Sequence, residues 1–274
     1  EARNMVRNNL AGLAILMFAA LASGCASMRT HADKPVSTAL SPATDTPSAR
    51  YIQSELEKHP SGISGFRLLS LSTNPLLSRI TLADHAEKSI DLQYYIFKND
   101  ATGRLVAQHL LIAADRGVRV RLLLDDLNLE EQRSMLDAFD SHPNIEVRLF
   151  NPFKTREPTI PSKIVQVMLE ASRLNRRMHN KSFIVDNKIA VIGGRNIGDD
   201  YFDASIDTNF RDLDLVAIGP VVVDASRSFD DYWNSDAAFP VSAYPGSHDK
   251  PEVLAEVRQA LARDARKFAE SDYA

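Results

Sequence analysis

The stretch Ser89-Ile90-Asp91-Leu92-Gln93-Tyr94-Tyr95-Ile96-Phe97 alternates in side-chain character with a period of two and is rich in β-formers. It reads as a strand. The residues around it set the fold class. Pro75 to Lys88 reads as a helix whose apolar residues are Leu76, Leu77, Ile80, Leu82 and Ala83. Leu105 to Ala114 is a second helix, stopped by Gly117. Val118 to Leu124 is a nearly all-apolar strand interrupted by arginines, Leu127 to Phe139 is helical, and Ile145 to Leu149 is the next strand. Strand, helix, strand, helix, strand with short connections predicts an α/β fold: a mostly parallel β-sheet sandwiched by helices.

Further along, Asn151 to Arg177 has no clean periodicity and contains Pro152, Pro158 and Pro161. It reads as an irregular excursion with a short helix at Ile164 to Leu169. Ser182 to Val185 and Ile189 to Ile192 are short strands around the turn Asp186-Asn187-Lys188, and Leu213 to Ile218 is another. Val221 to Trp233 and Glu252 to Phe268 have the spacing of amphipathic helices. No internal repeat is visible.

The chain has 274 residues, 44% hydrophobic and 25% charged, with a formal net charge of -4. These values exclude a wholly disordered chain, a collagen and a multi-span membrane protein. The mild acidity argues against a generic nucleic-acid binder, so nucleic acid is not an expected partner. One cysteine, Cys25, excludes a disulfide framework within the chain.

Cys25 has a different use. Arg3 and Arg7 precede an apolar run from Leu10 to Ala22, shorter than the ~20 residues that span a membrane. Small residues follow, as Ala22-Ser23-Gly24-Cys25 after Leu21. A basic start, a short apolar run and small residues read as a secretory signal. The segment resembles the lipobox of bacterial lipoproteins, with Ala22 where leucine is usual. Residues 1–25 are therefore expected to be a lipoprotein signal peptide, with Cys25 lipidated. This implies a membrane-anchored lipoprotein of the bacterial cell envelope, facing the periplasm. Residues 26–50 are rich in Ser, Thr, Ala and Pro and are expected to be a flexible tether. The folded domain is expected over 51–274.

The chemistry is concentrated in Met178-His179-Asn180-Lys181-Ser182-Phe183-Ile184-Val185-Asp186 and in Gly193-Gly194-Arg195-Asn196. The pattern is H-x-K-x4-D-x6-G-G-x-N. With ordinary residue frequencies, the first three fixed residues arise by chance in roughly one or two chains per hundred, and all six in roughly a few per million. His179 and Lys181, two apart on a strand, project from one face. An imidazole beside an ammonium suits a phosphate: the lysine neutralises charge, and the histidine attacks phosphorus or moves a proton. Gly193 and Gly194 admit close backbone approach. Asn196 can donate amide hydrogens to a phosphoryl oxygen. Asp186, at the far end of the strand, can anchor a turn or pair with a cation.

These residues resemble the phospholipase D superfamily, whose signature is the HKD motif followed by Gly-Gly/Ser-x-Asn. Asp91 to Ile96, Arg116 to Asp126, Ser172 to Lys181 and Gly193 to Asp199 further resemble the C-type branch of bacterial cardiolipin synthases. The resemblance covers roughly residues 65–235. It implies phosphodiester transfer on phospholipids through a phosphohistidine, with no metal and no cofactor. It also implies catalytic roles for His179, Lys181 and Asp186, with Asp186 completing the motif more as a structural than a chemical residue, phosphate binding by Lys181, Gly194 and Asn196, and a carboxylate holding the histidine's other ring nitrogen. Asp212 and Asp214 both fit that carboxylate, and Asp212 is favoured. Arg173, Arg176, Arg177 and Lys181 form a basic cluster suited to anionic headgroups, with Arg177 expected at the substrate. The implied partners are a phospholipid, phosphatidylglycerol first among them, and the membrane surface.

Members of this branch carry two such motifs. Here His248-Asp249-Lys250 repeats only H-x-K, with Ala255 where the aspartate belongs. The chain is thus expected to be the N-terminal half of a longer protein, or to pair its one motif with that of a second copy. The competing readings are a single-motif nuclease acting as a dimer, and an inactive half-domain that binds anionic lipid or a partner.

Overall fold

The computed structural model describes residues 33–69, 73–126, 129, 132–153, 176–244 and 251–271. Helix α1 (Pro47–Leu56) and strand β1 (Gly65–Leu69) open the fold. Then come α2 (Thr73–His85), β2 (Ser89–Tyr94), α3 (Ala101–Asp115), β3 (Arg119–Asp125), α4 (Arg133–Asp140) and β4 (Ile145–Phe150). The second part holds β5 (Ser182–Val185), β6 (Ile189–Gly193), β7 (Asp214–Ile218), α5 (Pro220–Trp233), β8 (Ala238–Pro240) and α6 (Pro251–Ala269). The helix expected at Ile164 to Leu169, Cys25, the signal segment, Arg173 and His248 to Lys250 lie outside the described residues.

The eight strands form one sheet in the order β1-β7-β6-β5-β2-β3-β4-β8. The α/β class holds, but the expected mostly parallel sheet does not. Only β2–β3 and β3–β4 are parallel; the other five pairs are antiparallel. The reason is connection length. The helices α3 and α4 return the chain to the same end before β3 and β4. The three residues between β5 and β6 can only reverse it. That reversal is a two-residue turn with Asp186 and Asn187 at φ 53° and 49°, closed by Lys188 N–H donating to Val185 O at 3.0 Å. Positive φ at both central residues matches the twist of the flanking strands.

Helices cover both faces. Ile90, Leu92, Tyr94, Val120, Leu122, Leu124, Phe183 and Val185 pack against α2, α3, α4 and α6. Leu123, Ile184, Ala190 and Ala217 pack against Val222, Phe229 and Trp233 of α5. Each fully buried side chain of this kind contributes about 1.5–3 kcal/mol.

The face under α5 also carries charge, and this overturns the expected tether. Arg121 is paired with Asp91 and Asp230, and Arg148 with Glu146. Both still have donors to satisfy. The chain from Lys34 to Ala43 supplies the acceptors. Arg148 donates to Pro35 O at 2.7 Å, Arg121 to Ser37 O at 3.0 Å, and Trp233 Nε1 to Ser37 Oγ at 2.8 Å. Ala39 N–H donates to Asp230 at 2.8 Å, and Asn187 donates to Leu40 O at 2.9 Å. Thr46 then caps α1 by accepting from Ala49 N–H. The described part of the segment 26–50 is therefore a strap docked on the domain, and the folded part does not begin at Tyr51. Polar composition misleads here because the strap is held by hydrogen bonds to buried arginines rather than by apolar burial.

Candidate active site

The strand directions place the motif. The carboxyl ends of β2, β3 and β4, the start of β5, the end of β6 and the start of β7 all lie at one edge of the sheet. This is the end where open α/β sheets bind ligands. Tyr95, His179, Lys181, Gly194, Asn196 and Asp212 converge there.

His179 is exposed, while Lys181 is 5% and Asn196 3% exposed. The His179 ring rests on Tyr95, with centroids 4.9 Å apart and planes tilted by 54°. The Lys181 ammonium sits 5.5 Å from the same Tyr95 ring and donates to His179 O at 2.7 Å. Burial lowers the pKa of Lys181, and the negative charge of Asp212 partly opposes that shift. Asn196 is oriented by the backbone. Ile96 N–H donates to its Oδ1 at 3.0 Å, which leaves the amide hydrogens to face the site. Tyr95 therefore lines the site, whereas Tyr94 is core, its side chain fully buried and its hydroxyl accepting from Arg79 Nε at 2.8 Å.

The two acids that the sequence left together are separated by the fold. Asp214 is buried, paired with Arg79 at 3.0 Å, and accepts from Arg195 N–H. Asp212 is half-buried and stands against Gly194, where any side chain would collide with its carboxylate. The neighbouring Gly193 is closed more firmly, by the backbone atoms Leu213 O and Asp214 Cα. Glycine is thus required by close backbone approach at Gly193, whereas at Gly194 an added side chain would have to displace the Asp212 carboxylate. Among the described residues, the His179 ring makes no hydrogen bond to Asp212.

Two sequence assignments are revised. Asp186 lies at the opposite end of β5 from His179. Its carboxylate accepts from the backbone N–H groups of Glu87, Lys88 and Ser89 at 3.1, 2.7 and 2.9 Å. It fixes the entry of β2 and has no place among the reacting groups. Arg177 is not free for substrate: its guanidinium is paired with the buried carboxylate of Asp125, which also accepts from Met178 N–H at 2.9 Å. This pair holds the segment that leads into His179. Asp199 and Asp200, the other acidic pair, cap α3 through Thr102 N–H and bind Lys98 at 2.7 Å. Among the described residues, no cluster of three or more His, Cys, Asp or Glu is placed to hold a metal.

Tyr201 was missed by the sequence. It belongs to a short 3-10 turn (Asp199–Tyr201). Its ring lies 5.0 Å from that of Phe210, and burial raises the pKa of its hydroxyl, an effect that the Asn196 side chain partly opposes. No spacing rule marks it, because a loop of no period separates it from Asn196. On the α5 side of the sheet, beside the site, Phe66, Leu68, Leu213 and Leu215 form an exposed apolar shelf. A separate cleft of about 480 Å³ is lined by Phe150, Asn151, Arg176 and Tyr232 and holds none of the motif residues.

Residues 80–233 match the family model described as "Cardiolipin synthase, PLD-like domain". Cardiolipin synthase C from Escherichia coli (strain K12) is 49% identical over 184 residues, covering 67% of this chain and 38% of that protein. An uncharacterized protein of Helicobacter pylori (strain J99) is 43% identical over 203 residues, 73% of this chain and 39% of that one. The chain thus spans about two-fifths of the length of these curated relatives. Solved structures with a similar fold include phosphatidylserine synthase of Haemophilus influenzae, with a TM-score of 0.49 and 13% identity over 81% of this chain and 48% of that one. NucT from Helicobacter pylori has a TM-score of 0.47 and 18% identity over 65% of this chain and 98% of that one.

Proposed function

The chain belongs to the cardiolipin synthase family of phospholipase D-like domains, and from that premise we propose that it transfers phosphatidyl groups between phospholipids through a phosphohistidine. One observation carries the reading: the exposed His179 ring is seated on Tyr95 beside the buried Lys181 ammonium. A ring nitrogen of His179 attacks phosphorus, and the bond from phosphorus to the headgroup oxygen breaks. The leaving oxygen takes a proton from a second histidine. A hydroxyl of the acceptor lipid then attacks phosphorus, returns a proton to that second histidine and frees His179. Two displacements replace one difficult step. With phosphatidylglycerol as donor and acceptor, the products are cardiolipin and glycerol; with water as acceptor, phosphatidic acid forms.

Lys181 and Asn196 bind the non-bridging phosphoryl oxygens, where preorganised donors stabilise developing charge. Asp212 offsets part of the desolvation of Lys181 and supports the imidazolium by its negative charge. The second histidine comes from another H-x-K motif, on a second copy or in the remainder of a longer protein. The exposed shelf of Phe66, Leu68, Leu213 and Leu215 beside the site suits such a half. Among the described residues no helix is long and apolar enough to cross a membrane. Attachment through a lipidated Cys25 at the periplasmic face is part of the same proposal. It predicts that Cys25→Ala moves the protein from the membrane to the soluble fraction.

The full chain, incubated with phosphatidylglycerol vesicles with and without phosphatidylethanolamine, tests the reaction by mass spectrometry of the lipids. Cardiolipin or phosphatidic acid that vanishes with His179→Ala is the expected result. Products that persist in that variant refute it, as does DNA cleavage without any lipid product. If neither protein turns over, a second motif-bearing half is added; continued inactivity then favours a lipid-binding half-domain.

A further inference from the structure

A cleft of about 480 Å³ lies between the carboxyl end of β4, helix α5 and the link that leads into β8. Ligand pockets commonly enclose about 300–1,000 Å³. The lining is mainly apolar: Phe150 and Tyr232 meet there with ring centroids 5.5 Å apart, together with Ala237. Strand β4 ends at the sheet edge where β5 begins, so the cleft and the motif share that edge. A short segment joins them. Arg176 lines the cleft and His179 follows three residues later, so their Cα atoms are at most about 11 Å apart. The segment is pinned. Asn151 Nδ2 donates to Arg176 O at 2.7 Å, and Asn151 N–H donates to Ala237 O at 2.7 Å. The buried Asp125 carboxylate holds the next two residues, Arg177 and Met178. The cleft and the catalytic ring therefore keep a fixed separation.

We infer that this cleft seats an acyl chain of the phospholipid whose phosphate is held by Lys181 and Asn196. This deepens the proposed function and rests on its phosphate site. With phosphorus at His179, the glycerol ester and the first methylenes of a chain span the interval to the cleft. There the rings of Phe150 and Tyr232 take methylenes out of water. Arg176, the lining residue nearest to His179 along the chain, is an exposed cation that forms no ion pair among the described residues. It matches the anionic phosphodiester. Asp231, the carboxylate of the lining, is exposed on α5, where water and salt screen it. Seating one chain fixes the glycerol and with it the phosphorus before the ring nitrogen, the orientation that displacement requires.

The test is calorimetric titration of the full chain with two probes. One is dihexanoyl-phosphatidylglycerol below its micelle concentration; the other is glycerophosphoglycerol, the same phosphodiester without chains. Each methylene taken out of water tightens binding about fourfold, so the lipid should bind at least about tenfold more tightly than the chainless probe. Ala237→Phe fills the cleft, and Tyr232→Ala removes one of its walls. Both variants should lose that preference, keep wild-type affinity for glycerophosphoglycerol and retain the circular dichroism of the fold. Equal wild-type affinity for the two probes overturns the inference. A preference that survives in both variants also overturns it, and its loss in Leu68→Ser would then put the chain on the exposed shelf instead. Failure of the wild type to bind either probe overturns the phosphate site itself, which separates that failure from failure of the cleft.

Discussion

Replacing Asp186 by alanine separates a structural role from a chemical one within the H-x-K-x4-D motif. The carboxylate is 3% exposed and accepts three backbone N–H groups at the entry of β2. A hydrogen bond to a charged group is worth about 1.5–3 kcal/mol, and such values do not add fully. Asp186 also sits at φ 53°, where alanine costs about 1 kcal/mol more than Asp or Asn. The expected loss is about 4–6 kcal/mol for Asp186→Ala. Asp186→Asn, which keeps the turn and one acceptor oxygen, should lose about half of that. With a urea m-value of about 3 kcal/mol/M, the alanine variant shifts the unfolding midpoint by about 1.3–2 M. Circular dichroism in urea measures this. The second readout is phosphate affinity, or turnover, per folded molecule, which should stay within about threefold of wild type because the carboxylate is remote from His179. An unchanged midpoint together with a hundredfold loss of turnover would refute the reasoning and return Asp186 to the reacting groups.

Other consequences follow from the same geometry. Gly194→Ala pushes a methyl group against the Asp212 carboxylate and displaces it; it should weaken phosphate binding in calorimetry while circular dichroism of the fold is retained. Deleting residues 33–43 strips acceptors from Arg121 and Arg148 and the partner of Trp233 Nε1, so the urea midpoint should fall by at least about 1 M, each unpaired buried donor costing about 1–3 kcal/mol. The pH profile of phosphate binding reports Lys181. Burial favours its neutral form, so the ammonium is lost below the ordinary lysine value of 10.5, and binding should fall on the alkaline side before that value is reached. Asp212 raises the Lys181 pKa, and Asp212→Asn should move the alkaline limb to still lower pH; movement upward would contradict the placement of Asp212.

Much of the fold was legible because its signals are local. The strand at Ser182–Val185 lies where its apolar run predicts, and the helices at Ala101–Asp115 and Pro220–Trp233 lie within a few residues of their expected limits. Period and punctuation suffice where one face of an element is buried by its own sequence neighbours. Strand β1, helix α1 and the three-residue β8 were not anticipated. Phe66, Arg67 and Leu68 of β1 are all exposed, so no alternation marks it. Strand β8 exists only because β4 offers an edge.

The sequence by itself determined the α/β class and the spacing that sets His179 and Lys181 before β5 and Gly194 and Asn196 after β6. These follow from spacings of two to seventeen residues, which the chain's own geometry converts into position. The tertiary structure decided the rest. It turned β5, β6 and β7 antiparallel, docked Lys34–Ala43 on buried arginines, gave Asp186 and Arg177 to structural partners, and separated Asp212 from Asp214. Each of these depends on which donor or carboxylate from a distant segment lies within about 3 Å. Partners far apart along the chain leave no periodic trace in it, and the energy of an unpaired buried charge, rather than any local propensity, selects among them.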